Sequence, residues 1–196
     1  MDSLDKLILK HGEPDALIDH WDKTSKSFAI WGLEESFLID SQSRHIGKYL
    51  TEKWLQEEKI PFTSFRPTYI YGPGNYNPIE KWFFDHIIHS KPIPIPNNGE
   101  ILTQLGHVKD LANAMTLSLN TDISTNKIYN CSGKKSVTFK GLVSLAAIAC
   151  GKKPEDVETF SFDPSILDPK ARKAFPLRIE HFFTDISLLE KDLNWK

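Results

Sequence analysis

From residue 45 onward the apolar positions switch repeatedly between a helical and a strand-like period. Residues 45 to 58 set Ile46, Tyr49, Leu50 and Trp54 on one helical stripe. "IPFTSFRPTYIY" follows, dense in β-branched and aromatic side chains, and predicts a strand running into a "GPG" turn. A second helix starts at "NPIE", with Asn77 as cap, Pro78 at the first helical position and Glu80 as a capping-box carboxylate. Ile79, Trp82, Phe83, His86 and Ile87 keep helical spacing until Lys91-Pro92 ends the run.

"PIPIPNNGE" is held extended by its prolines and turns at Asn98-Gly99. A helix from about Asp110 to Leu119 carries Leu111, Ala112, Met115 and Leu119 on one side. "NKIYNCS" predicts a short strand, Thr138 to Cys150 a helix closed by Gly151, and "DVETFSFD" another strand. The tail "TDISLLEKDLNW" predicts a helix capped by Thr184. Strands separated by helices of roughly ten to fifteen residues imply a parallel α/β sheet. No internal repeat or low-complexity segment interrupts this order. The first 40 residues carry the weakest pattern, with "SFAIWG" a candidate strand.

Composition narrows the classes. A chain of 196 residues can bury one sizeable core, and its net charge of −2 exerts no global pull on nucleic acid or anionic membrane. No run of about 18 apolar residues is present to span a bilayer, and the opening residues lack the apolar core of a secretory signal. Cys131 and Cys150 fit no metal spacing; Cys150 shares a stripe with Phe139, Leu142, Val143 and Ala146 and reads as core. A reducing, cytoplasm-like compartment is the expectation. His86 and His89 lie three apart without a third ligand, so no metal site is expected.

Three stretches carry candidate chemistry. Tyr49 and Lys53 spell Tyr-x-x-x-Lys, the phenol and ammonium pair of nicotinamide-dependent dehydrogenases, yet Tyr49 lies on the apolar stripe and reads as core packing. "GPGNYN" sits between a strand and a helix, as a phosphate-binding turn would. Asn77 occupies the place of its third glycine and Pro73 removes an N–H, so it reads as a loop and cap. "DPKARKAFPLR" gathers Lys170, Arg172, Lys173 and Arg178 beside Phe175. It is either a solvated loop or a patch that grips phosphates and stacks a base.

Four phrases in order carry a resemblance. "FRPTYIYGPG", "GHVKDLANAM", "IYNCSG" and "PLRIEHFFTDISLLEKDLNWK" resemble the corresponding segments of extended short-chain dehydrogenases, the NAD-dependent epimerase/dehydratase family. "SRHIGK", "YNPIEKWFF", "QLGHVKDLA" and "DPKARKAFPLR" look like its subgroup of chloroplast stem-loop-binding (mRNA-binding) proteins and their cyanobacterial relatives. The resemblance covers about residues 41 to 196.

It implies the C-terminal part of a Rossmann-like parallel sheet with a small substrate-binding lobe. Residues 1–75 and 106–133 would form the partial NAD(P)-binding core, and 76–105 and 134–196 the lobe. The family places its Tyr four residues before the Lys and often a Glu four after. Lys48 has Glu52 four after it and Arg66 18 after it, which leaves room for helix, turn and strand. In that register Arg44 stands where the Tyr belongs. A guanidinium stays protonated and cannot shuttle the proton that hydride transfer needs.

The resemblance further implies that Lys48 holds the nicotinamide ribose and that Arg66, Pro67, Tyr69 and Tyr71 lie by the cofactor. Arg178 would meet a nucleotide-sugar diphosphate, and His107 would sit by the substrate or pin a helix start. The family's Gly-rich turn lies upstream of anything in this sequence. The chain therefore reads as the later part of a longer protein, with weak affinity for NAD or NADP. RNA binding or cleavage on the same fold is the rival function. A homodimer, and a plastid stroma for a photosynthetic eukaryote, complete the expectations.

Overall fold

The computed structural model describes residues 46–172 and 175–196. "SFAIWG" and Arg44 lie outside them.

Helix α1 (Ile46–Glu57) leads into strand β1 (Thr63–Pro67), which pairs in parallel with β6 (Lys127–Cys131). Sequence reading carries β1 straight on to Tyr71; the structure divides it. Pro67 has no N–H to give a ladder, and at Thr68 the chain changes partner. Strand β2 (Tyr69–Tyr71) then pairs in parallel with β5 (Leu105–His107). The Thr68 and Ser132 hydroxyls hydrogen-bond across this junction.

Helix α2 (Ile79–Ile88) follows the glycine turn, and strand β3 (Ile93–Pro96) comes next. Short strand β4 (Leu102–Thr103) precedes β5, and helix α3 (Val108–Ser118) leaves directly from it. After β6, strand β7 (Val137–Thr138) pairs antiparallel with β4 and opens helix α4 (Phe139–Ala149). Strand β8 (Thr159–Phe162) pairs in parallel with β3, and helix α5 (Pro169–Arg172) and helix α6 (Ser187–Leu193) complete the order. The α/β class with parallel pairing is as the periodicity predicts.

Two apolar clusters hold these elements. Phe83, Ile87, Ile93, Phe139, Val143 and Ala147 pack α2, β3 and α4 together around Phe175. Phe175 meets the rings of Trp82, Phe83, Phe139 and Phe162 at centroid distances of 5.0–6.4 Å. Tyr129, Cys131, Ala114, Leu189, Leu193 and Trp195 form the second cluster, and Trp195 Nε1 donates to the Asp110 carbonyl at 3.1 Å. Burying each of the large aliphatic and aromatic side chains among them stabilises by roughly 1.5–3 kcal/mol.

Several sequence expectations need correction. On α1 the apolar stripe is turned outward: Leu50 and Trp54 are about half exposed, at 53% and 52%, Tyr49 is half-buried, and the buried residue is Glu52. On α3 the buried residues are Ala114 and Ser118, while Met115 and Leu119 face solvent. Periodicity defines a stripe; it does not say which stripe meets the sheet.

The caps differ too. Helix α2 begins at Ile79 after Pro78, without a side-chain cap, and Asn77 instead donates its N–H to Asn75 Oδ1 at 3.0 Å. Thr184 does not cap α6; Asp185 Oδ1 accepts the Ser187 N–H at 2.5 Å.

Candidate functional site

The C-terminal ends of parallel strands are where α/β folds present ligands. Here those ends carry the Pro67-Thr68 junction, the glycine turn after Tyr71, and His107 at the head of α3. Lys48 stands exposed on the first turn of α1, one helical turn before Glu52.

Glu52 is what holds that helix to the sheet. Its Oε2 meets Arg66 Nη2 at 2.5 Å, and its Oε1 accepts from Arg66 Nε at 3.3 Å and from Ser64 Oγ at 2.5 Å. Both members are buried, Glu52 at 8% exposure and Arg66 at 3%. A charge pair this dry persists only with its hydrogen bonds filled. Arg66, expected at the cofactor, thus has its guanidinium engaged with Glu52. The Tyr49 and Lys53 motif has no comparable setting: Lys53 Nζ lies 3.7 Å from Glu57 at the surface.

The glycine turn is a test of phosphate binding. Gly72 has φ +115°, and a Cβ there would meet His107 Nε2 at 2.8 Å, so any other residue would be strained and would displace the His107 ring. Its N–H, which a phosphate would use, donates to Glu80 Oε1 at 3.0 Å. The protein's own carboxylate takes this N–H, which is then not open to a phosphate. This turn does not fit a pyrophosphate; Lys48 and Tyr71 are both exposed.

Tyr69 and Arg178 are joined. The Arg178 N–H donates to Tyr69 Oη at 2.8 Å, and the Arg178 guanidinium lies 4.6 Å from the centroid of the Phe182 ring. Phe182 in turn meets Tyr69 edge-on at 5.1 Å. Burial pushes the Tyr69 phenol up, against the opposing pull of Arg178. Gln104 is buried and bridges two segments: its Nε2 donates to the Gly133 carbonyl at 2.6 Å and its Oε1 accepts the Thr184 N–H at 2.7 Å. Sequence reading missed Gln104; the signal available was a Gln within an otherwise strand-forming run.

His107 Nδ1 accepts the Lys109 N–H at 3.2 Å and caps α3, while its ring meets Tyr71 edge-on at 5.0 Å. His86 and His89 each bond through Nδ1 to the carbonyl four residues earlier, on Trp82 and Asp85, at 2.8 Å. Among the described residues no group of three or more His, Cys, Asp or Glu is placed to hold a metal.

The basic patch is altered by the fold. Lys170 is exposed, with its N–H and that of Ala171 donating to Asp168 Oδ1; Arg172 closes α5; Lys173 lies outside the described residues. Phe175, read as a base-stacking ring, is enclosed by four aromatic rings in the core. It has no face to offer a base.

Parallel pairing and a ligand edge of this kind define a Rossmann-type α/β protein. Residues 41–132 match the model of the NAD dependent epimerase/dehydratase family. In sequence it is 45% identical over 163 residues to the chloroplast stem-loop binding protein of 41 kDa b from Arabidopsis thaliana, covering 83% of this chain and 42% of that protein.

Solved structures share the fold. UDP-glucuronic acid 4-epimerase from Bacillus cereus, in complex with NAD, aligns with a TM-score of 0.62 at 17% identity over 87% of this chain and 51% of its own. UDP-glucose 4-epimerase from Thermotoga maritima, with UDP-glucose, gives 0.60 at 19% over 87% and 53%. The chain thus spans about half the length of these structures and less than half of the plant relative. No described helix is long and apolar enough to cross a membrane.

Proposed function

We propose that this chain supplies the nicotinamide- and nucleotide-sugar-facing half of an epimerase/dehydratase-type protein whose hydride chemistry is impaired. The observation that carries this reading is Arg44 at the position of the family's Tyr, four residues before Lys48. A permanent cation there can attract phosphate or hold a carboxylate but cannot pass a proton.

Lys48 would hold the nicotinamide ribose, with Pro67, Tyr69 and Tyr71 lining that end and Arg66 bracing it through Glu52. Arg178 would meet the substrate diphosphate, with His107 at its edge. The core would comprise 1–75 and 106–133, and the substrate lobe 76–105 and 134–196. Affinity for NAD or NADP would be weak, because the Gly72 N–H of the strand-to-helix turn after β2 is occupied by Glu80. The outward stripe of Leu50 and Trp54 supports pairing of two copies through α1. The compartment would be cytoplasm-like, or the plastid stroma in a photosynthetic eukaryote, the option that the chloroplastic relative supports.

The test is to incubate the chain with NAD or NADP and UDP- or dTDP-sugars and follow the absorbance of reduced nicotinamide and the products. No build-up and no sugar conversion are expected. Turnover at ordinary enzymic rates, about 1 per second or faster, overturns the impairment.

A second reading is RNA binding, favoured by the 45% identity to a protein named for stem-loop binding. Lys170, Arg172 and Lys173 would contact phosphates. Filter binding of a stem-loop RNA across a salt series tests it: replacing all three should flatten the salt slope. An unchanged slope dismisses the patch.

A further inference from the structure

Under the RNA-binding reading, on which this inference rests, an unpaired base needs an aromatic face in the open. Phe175 supplies none. Tyr76 is 100% exposed, on the loop between β2 and α2.

That loop is braced on both sides of the tyrosine. Asn75 Nδ2 donates to the Ile70 carbonyl at 2.7 Å, Asn75 Oδ1 accepts the Asn77 N–H at 3.0 Å, and Glu80 holds the Gly72 N–H. A ring carried on pre-formed backbone loses less entropy when it stacks. The loop also leaves from the C-terminal end of the β2–β5 pair, the edge where such sheets present ligands. Tyr71, itself partly exposed, stands at that end, and Lys109 occupies an exposed position two residues beyond His107. Trp54 and Phe160, the other well-exposed described rings, lie on other elements, α1 and β8.

We propose that Tyr76 stacks on an unpaired base of an RNA loop, with Tyr71 flanking it and Lys109 contacting phosphate. Base–aromatic stacking tolerates any sequence, because every base has a π-face. The bound chemistry is therefore a single-stranded loop, not a duplex.

Filter binding of the full chain to a stem-loop RNA, and to the same stem closed as a blunt duplex, decides the matter. Tyr76→Ala should weaken stem-loop binding about tenfold and Tyr76→Phe should keep it within about twofold. The salt slope of Tyr76→Ala should match wild type, since stacking releases no counterions, whereas Lys109→Ala should lower the slope. Thermal unfolding of Tyr76→Ala should be unchanged, because its side chain packs on nothing. If wild type binds the stem-loop and Tyr76→Ala binds equally well, the stacking contact is wrong while RNA binding stands. Equal affinity for stem-loop and blunt duplex also overturns the contact. If wild type retains no RNA even at low salt, the RNA-binding reading and this inference both fall.

Discussion

Glu52 and Arg66 form a buried, bidentate ion pair that ties helix α1 to strand β1. Through it, the helix bearing Lys48 is fixed against the strand that ends at Pro67-Thr68. The pair has a third member in Ser64, whose hydroxyl donates to the same carboxylate.

Removing one partner should therefore cost far more than an exposed bridge does. Glu52→Ala leaves the Arg66 charge buried and should destabilise by about 3–5 kcal/mol. The double variant Glu52→Leu/Arg66→Met should recover most of that loss. Urea denaturation of the single and double variants checks it; additive losses would contradict the coupling.

Gln104 satisfies two backbone groups from separate segments, the Gly133 carbonyl and the Thr184 N–H. Gln104→Leu strands both in a buried place and should cost about 2–4 kcal/mol. Denaturant midpoints measure it, and a loss below about 0.5 kcal/mol would show that the two groups find other partners.

Burial, and secondarily the Asp110 charge, push the Cys131 thiol from its ordinary 9.0 up to about 11. The unfolded chain ionises first, while the native state keeps its proton. The stabilisation is complete below about pH 9 and is lost as pH rises to about 11. Its size is on the order of 2 kcal/mol. The measurement is the stability difference between pH 8.5 and about 11, which should be smaller in Cys131→Ala than in wild type. Thiol alkylation of the folded chain should spare buried Cys131 while reaching half-buried Cys150.

Leu50 and Trp54 keep about half their surface in the open. If two copies pair through α1, Leu50→Glu with Trp54→Glu should convert a dimer to a monomer without unfolding it. Sedimentation velocity reads this directly. A wild-type chain that is monomeric at tens of micromolar would rule out the pairing.

The sequence made the elements legible where local chemistry decides them. The β-branched and aromatic residues of "IPFTSFRPTYIY" do form strands, though two and not one, and the apolar spacing of α2 and the closing Gly151 appear where their residues predict. It did not reveal which face of α1 or α3 is inside, since that depends on what the helix meets. Glu52 shows the difficulty: a carboxylate reads as surface until Arg66, 14 residues on, is folded beside it. Phe175 shows the converse, because its neighbouring cations suggested an open patch while distant rings enclosed it. Tyr69 and Arg178 are 109 positions apart, a separation no local pattern spans.

Thermal unfolding of the full chain in rising NAD and NADP tests the central claim of a weak nicotinamide site most directly. An upward shift that develops only toward millimolar cofactor is expected, reaching about 1.4 kcal/mol at ten times Kd. No shift at millimolar NAD or NADP would contradict the nicotinamide site, and a shift saturating at micromolar cofactor would contradict its weakness.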